Sequence, residues 1–248
     1  MSLEKVSVSI VSYTNSKPFL YGLQNTAVKE EINLSLDTPA DCAHKLISGQ
    51  AQIGLVPVAA IDKIENAKLI TDYGIAAVSK VDSVLLLSNA PLAEIKTVML
   101  DYQSMTSVKL VKVLAESFWK RSFVYENAQP DYEKKIVGNT AGVVIGDRAL
   151  ELKNKFKFVF DLSEEWFNYT QLPFVFAVWV TNTQLKPEFT DRFNNALKHG
   201  ISNIDAVVKQ LLVTQSYNFD VARYLHHSIK YFLTKEMKQG MNKFLSEW

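Results

Sequence analysis

The sequence is poor in the residues that most often build chemistry. It holds one cysteine, Cys42, in 248 residues. A single thiol closes no intrachain disulfide and supplies no Cys-based zinc or iron–sulfur site within one chain. Cys42 stands in an apolar helical stretch, where a small core residue is the ordinary reading. Arginine is scarce as well, with Arg121, Arg148, Arg192 and Arg223 scattered along the chain. The formal net charge is +1. That balance gives no general field for nucleic acid or anionic membrane surfaces. No run of about 18 apolar residues is present, so no membrane-spanning helix is expected. The opening MSLEKVSVSI runs directly into strand-like alternation, without a signal-type apolar segment, and a cytoplasmic location is expected.

Catalytic signatures are missing too. The sequence has no H-E-x-x-H, C-x-x-C, G-x-x-x-x-G-K-[ST] or G-x-S-x-G motif. His44, His199, His226 and His227 all fall in stretches of helical spacing. Solvent exposure or structural hydrogen bonding is expected of each, and a histidine-driven nucleophile is not. No metal site is expected.

What is present is an ordinary globular balance, 48% hydrophobic and 21% charged, enough for one large domain or two lobes. Val6, Val8 and Ile10 alternate with polar residues and predict a strand. Ser12 to Ser16 follow, and Lys17-Pro18 opens a helix. Ile32, Leu34 and Leu36 predict a second strand, and Thr38-Pro39-Ala40-Asp41 a capped helix start ended by Gly49. A third strand covers Ile53 to Val56. The order β-α-β-α-β predicts parallel pairing. Leu69-Ile70 and Ile75 to Val78 are weaker strand segments, and Ser83 to Leu87 a strong one. After the break at Ser88 to Pro91, a second β/α set starts at Thr97 and includes strands near Gly142 to Ile145 and Phe158 to Phe160. Phe174 to Val180 is an almost unbroken apolar strand, suited to burial on both faces. Helical spacing dominates after Thr181. These features predict an α/β fold of two lobes joined by two crossings, with a ligand cleft between them. Residues 1–88 and 181–248 would form the first lobe with the C-terminal helices, and residues 89–180 the second.

Ligands in open α/β sheets bind beyond the carboxyl ends of strands. Here those ends carry neutral hydroxyls and amides. Asn15, Ser83, Ser104, Thr106, Ser107 and Thr170 are the candidates, because such groups at helix N-termini hold carboxylates through hydrogen bonds. Helix capping accounts for Ser104 to Ser107 equally well. Asp147, after a glycine at a strand end, either caps the next helix or serves as an acid or base.

Taken in order, these segments resemble the chorismate dehydratases of the futalosine route to menaquinone. Tyr13-Thr14-Asn15-Ser16-Lys17-Pro18 resembles their Y-x-N-[ST]-x-P opening. Gly54-Leu55-Val56-Pro57, Asp82-Ser83-Val84, Ser104-Met105-Thr106-Ser107, Ile145-Gly146-Asp147, and Asp161-Leu162 with Trp166 resemble later segments. Thr170 to Trp179 resembles T-G-L-P-F-V-F-A-x-W. The likeness runs from about Val6 to Val180, and the C-terminal helices carry little of it. Gln171 stands where the family pattern usually has glycine, which puts the pocket's exact shape in question.

The resemblance implies a periplasmic-binding-protein type II fold used as an enzyme, a carbon–oxygen lyase. It implies that chorismate loses water to give 3-[(1-carboxyvinyl)oxy]benzoate, with no cofactor, because aromatisation drives the elimination. A dicarboxylate needs two anion sites, and Ser16 to Pro18 and Ser104 to Ser107 offer them. Asn15 and Ser83 are expected to orient the substrate and hydrogen-bond the leaving hydroxyl, and Ser104, Thr106 and Ser107 to clamp a carboxylate. Thr170 would add a contact, Phe174 would pack on the ring, and Asp147 stands in reserve as acid or base. The partner expected is the small-molecule substrate alone, with oligomeric state left open. The alternatives are a solute-binding protein for a small carboxylate and the sister cyclase that forms 1,4-dihydroxy-6-naphthoate.

Overall fold

A computed structural model describes residues 5–247. Along the chain come β1 (Val6–Val11), α1 (Lys17–Gln24), β2 (Ile32–Asp37), α2 (Pro39–Ile47), β3 (Ile53–Pro57), β4 (Lys68–Ala77) and β5 (Val84–Ser88). Next are β6 (Thr97–Leu100), α3 (Thr106–Val113), β7 (Val124–Asn127), β8 (Thr140–Ile145), α4 (Gly146–Leu152), β9 (Phe158–Asp161), α5 (Leu162–Thr170) and β10 (Phe174–Thr181). The chain ends with α6 (Pro187–Ser202), α7 (Ile204–Thr214), α8 (Val221–Arg223), β11 (Lys230–Phe232) and α9 (Lys235–Leu245).

Two compact units result. One reaches to Ile75 and resumes over Phe176–Thr234; the other takes Ala76–Val175 and the chain from Lys235 on. This differs from the lobes expected at 1–88 plus 181–248 and 89–180 in three elements: β10, expected in the second lobe, lies in the first unit from Phe176 on because it pairs antiparallel with β3, and two others move the opposite way. First, β5 pairs antiparallel with both β8 and β9, so it is built into the second sheet. Second, α9 belongs to the second unit. Gly240 lies so close to the return bend that an added Cβ would stand 2.0 Å from the Pro173 carbonyl oxygen. Phe244 of the same helix packs edge-on against Phe174 at 4.9 Å. Neither pairing leaves a local signature, because each joins segments distant in sequence.

In the first unit the sheet order is β11-β4-β10-β3-β1-β2. β1 pairs parallel with β2 and with β3, and β10 returns antiparallel to β3. The two weak segments after Leu69 form one ten-residue strand, β4. α1 and α6 approach through reciprocal glycines: a Cβ on Gly22 would meet the Ala196 carbonyl oxygen at 1.9 Å, and one on Gly200 the Pro18 carbonyl oxygen at 1.8 Å. Phe19 of α1 packs edge-on against Trp179 of β10 and Tyr231 of β11.

In the second unit the order is β7-β6-β8-β5-β9. β6 is parallel to β7 and β8, while β5 opposes β8 and β9. Leu85, Leu87, Met99, Val144 and Ile136 form a buried cluster with Tyr132. The direction of pairing places the carboxyl ends of β6, β8 and β9 at the same edge as the start of β5. Among the described residues no helix is long and apolar enough to cross a membrane.

α5 ends at Gln171 in the left-handed region, φ 59° and ψ 20°. Glycine is the usual residue there because it lacks a Cβ. Gln171 is exposed and its side-chain amide folds back toward the Phe167 and Asn168 carbonyls, at 3.2 and 3.4 Å. Gln171→Gly is therefore expected to raise stability by about 0.5–1 kcal/mol, read as a higher urea midpoint.

Candidate active site

One edge of the second sheet gathers most of the candidate residues. Ser83 is buried immediately before β5, and its carbonyl accepts the Gly146 amide at 2.8 Å. That bond ties the start of β5 to the end of β8, where Gly146-Asp147 opens α4. Asp147 is half-buried in the first turn of α4. Beyond β6 the 101–107 turn leads into α3. The Ser104 hydroxyl accepts the Ser107 amide at 3.1 Å, a cap at the start of the helix. Thr106 and Ser107 are buried in its first turn. The expected capping role and a set of hydroxyls at a helix N-terminus are thus both present.

Asp161, at the end of β9, holds this edge from the other side. Its carboxylate accepts the amides of Val81 (3.0 Å), Asp82 (2.7 Å), Ser163 (3.0 Å) and Glu164 (3.3 Å). The cap of α5 is therefore Asp161. Asp82 has φ 64°, a left-handed conformation rare for an aspartate, and it pairs with Lys153 at 3.0 Å. Ser83 is presented by this clamped, unusual turn.

Burial pushes the Asp161 carboxyl up to about 6, and the amides of Asp82, Glu164 and Val81 pull the other way. A folded-state value above the ordinary one favours the folded protein when the group is protonated. The Asp161 contribution to stability is thus full below about pH 4 and is lost as pH rises through about 6. Asp161→Asn should flatten that part of the pH dependence. Urea midpoints of both proteins between pH 4 and 7.5 measure it, and parallel curves would refute the assignment.

Behind the edge lies a charged cluster that sequence reading missed. Arg148 donates to Asp101 through Nη2 at 2.6 Å, to Gln103 at 3.1 Å and, through Nη1, to Glu133 at 2.5 Å. The Tyr132 hydroxyl lies 2.9 Å from Asp101 and also contacts the Val143 carbonyl, donating its one proton to one acceptor at a time. Burial drives the Asp101 carboxyl upward, against Arg148, the Gln103 amide and Tyr132. Arg148 reads as an isolated arginine in sequence, since its partners are 15 and 47 residues away.

In the first unit, Asn15 is half-buried in the single turn Thr14–Ser16 before α1, and its Oδ1 accepts the Ser16 hydroxyl at 3.1 Å. Two candidates are built into packing instead. The Thr170 hydroxyl donates to the Trp166 carbonyl at 2.8 Å and accepts the Leu172 amide at 3.1 Å, closing the end of α5. Phe174 is buried with its ring edge-on to Trp166 and Phe244.

The histidines contribute elsewhere: all four are exposed, His226 pairing with Asp205 at 2.8 Å and His199 stacking on Tyr21. Cys42 is buried, and burial pushes its thiol up to about 12, which leaves it unreactive near neutrality. Among the described residues no group of three or more histidine, cysteine or acidic side chains is arranged to hold a metal ion.

Comparison with known proteins fits this picture. The chain is 29% identical over 197 residues to a chorismate dehydratase of Thermus thermophilus, covering 69% of this chain and 70% of that protein. A crystal structure of an Archaeoglobus fulgidus protein superposes with a TM-score of 0.77 at 14% identity, covering 98% of this chain and 96% of the other. A Candida albicans protein described as having the generic periplasmic binding protein fold gives 0.65 at 14% identity, covering 98% and 91%. These likenesses establish a periplasmic-binding-protein-like α/β fold. The family model for menaquinone biosynthesis matches residues 6–247, essentially the whole described chain, and the protein belongs to that family.

Proposed function

We propose that the protein is a chorismate dehydratase, a hydro-lyase that converts chorismate to 3-[(1-carboxyvinyl)oxy]benzoate and water. The observation that carries this reading is the gathering of Ser83, the Ser104–Ser107 helix start and Gly146-Asp147 at one edge of the second sheet, in a chain related to a dehydratase. The reaction removes the ring C3 proton and the C4 hydroxyl. The C3–H electron pair becomes the new ring double bond, the C4–O bond breaks, and proton and hydroxide leave as water. Both carboxylates and the enolpyruvyl ether remain.

The chain's part is to bind, orient and stabilise charge. The hydroxyls and amides at the start of α3 suit a carboxylate, through hydrogen bonds and the positive end of the helix dipole. Ser83 and Asn15 are assigned to the departing hydroxyl and to substrate orientation. A substrate carboxylate is the base we assign for the C3 proton, with Asp147 as the protein group in reserve. Thr170 and Phe174 support the site through α5 and the return strand rather than by touching the ring.

The test is to incubate the purified protein with chorismate and follow products by chromatography and mass. Loss of one water to an aromatic product that keeps the enolpyruvyl group is expected. Unchanged chorismate with folded protein would refute the proposal and favour the cyclase or a solute-binding role, distinguished by turnover of the cyclase substrate.

A further inference from the structure

The 101–107 turn is held from outside itself. Asp101 accepts the Gln103 amide at 2.8 Å through Oδ1, and its carbonyl accepts the Ser104 amide. Ser104 in turn caps the Ser107 amide. The whole turn therefore hangs on where the Asp101 carboxylate is placed. That carboxylate has no exposed side-chain surface and is fixed by Arg148 from the first turn of α4. The Arg148 side chain is 28% exposed, and its guanidinium is gripped from further sides by Glu133, the Gln103 amide group, and the rings of Tyr102 and Tyr132 at 5.3 and 5.8 Å.

We propose that Arg148 is a positioning residue for carboxylate binding: it locks the turn carrying Ser104, Thr106 and Ser107 to the start of α4, and it neutralises two acids beside an anion site. This rests on the reading that this edge binds a carboxylate. Two physical points support it. A planar guanidinium reaches three acceptors at fixed angles, which an ammonium cannot do. Asp101 and Glu133 together carry two negative charges near groups assigned to an anion, and Arg148 pairs with both. The arrangement favours substrate affinity without placing Arg148 on the reacting atoms.

Arg148→Lys keeps a cation beside buried Asp101 and is the variant least at risk of failing to fold; Arg148→Met removes the charge. With chorismate, Arg148→Lys should raise KM roughly tenfold while kcat changes less than about threefold, and Arg148→Met should raise KM further. Amide hydrogen exchange in Arg148→Lys should quicken at residues 103–107 while β6 and β8 keep their wild-type protection. That second readout needs no turnover, so it stands even if the wild type proves inactive on chorismate. Unchanged exchange at 103–107 would overturn the proposal. So would uniform acceleration across the second sheet, the mark of a merely structural residue. Lowered kcat at unchanged KM would also overturn it.

Discussion

Ser83→Ala is expected to lower kcat for chorismate dehydration roughly a hundredfold, the usual cost of deleting one hydrogen-bond donor aimed at developing charge. Alanine keeps the bond from the Gly146 amide to the Ser83 backbone carbonyl, which ties the start of β5 to the end of β8. Asn15→Ala should fall in the same range. It removes the acceptor of the Ser16 hydroxyl but leaves the Thr14–Ser16 turn and α1 intact. Asn15→Asp makes a sharper comparison. It preserves shape while setting a negative charge against a dicarboxylate, so KM should rise along with the loss of kcat. Steady-state kinetics on the three variants, with circular dichroism to verify folding, provides the measurement. Near wild-type kcat in both alanine variants would remove these residues from the mechanism.

Gly200→Ala is expected to cost about 3 kcal/mol of stability, at the upper end of ordinary overpacking penalties. A Cβ at 1.8 Å from the Pro18 carbonyl oxygen cannot be accommodated by turning a side chain, since the obstacle is backbone. α1 and α6 must separate, which loosens the packing of Phe19 and Phe193 around Trp179. Gly22→Ala should act similarly through Ala196. The double variant should cost clearly less than the sum, because one separation of the helices makes room for both methyl groups. Gly49 is the control: at φ 72° with nothing within 4 Å, its alanine variant meets conformational strain alone, about 1 kcal/mol. Urea midpoints rank the set. Equal losses for Gly49→Ala and Gly200→Ala would mean that backbone strain, not helix contact, sets the cost.

Features that arise from neighbours in the chain were legible without the fold. Alternation at Val6 to Ile10 and Ile32 to Leu36 marked strands, because the side-chain period is two. Thr38-Pro39 marked a helix start, and Thr38 does accept the Asp41 amide. The hydroxyls at 104–107 were legible as a helix start, and Ser104 caps there. The ordered motifs pointed to the family that the whole-chain match establishes. Short strands escaped: Val124–Asn127 and Lys230–Phe232 are three or four residues long and leave no period to read.

Tertiary structure alone decided what depends on distant partners. It put β5 and α9 in the second unit, through strand pairing and the Gly240–Pro173 approach. It turned Phe174 and Thr170 toward packing and capping, which apolar pattern and hydroxyl chemistry do not distinguish. It also joined Asp101, Glu133 and Arg148 across up to 47 residues. Local sequence sets backbone preference and the buried face of each element. Which charged side chain meets which, and which glycine lies against which carbonyl, is settled only when whole elements close-pack.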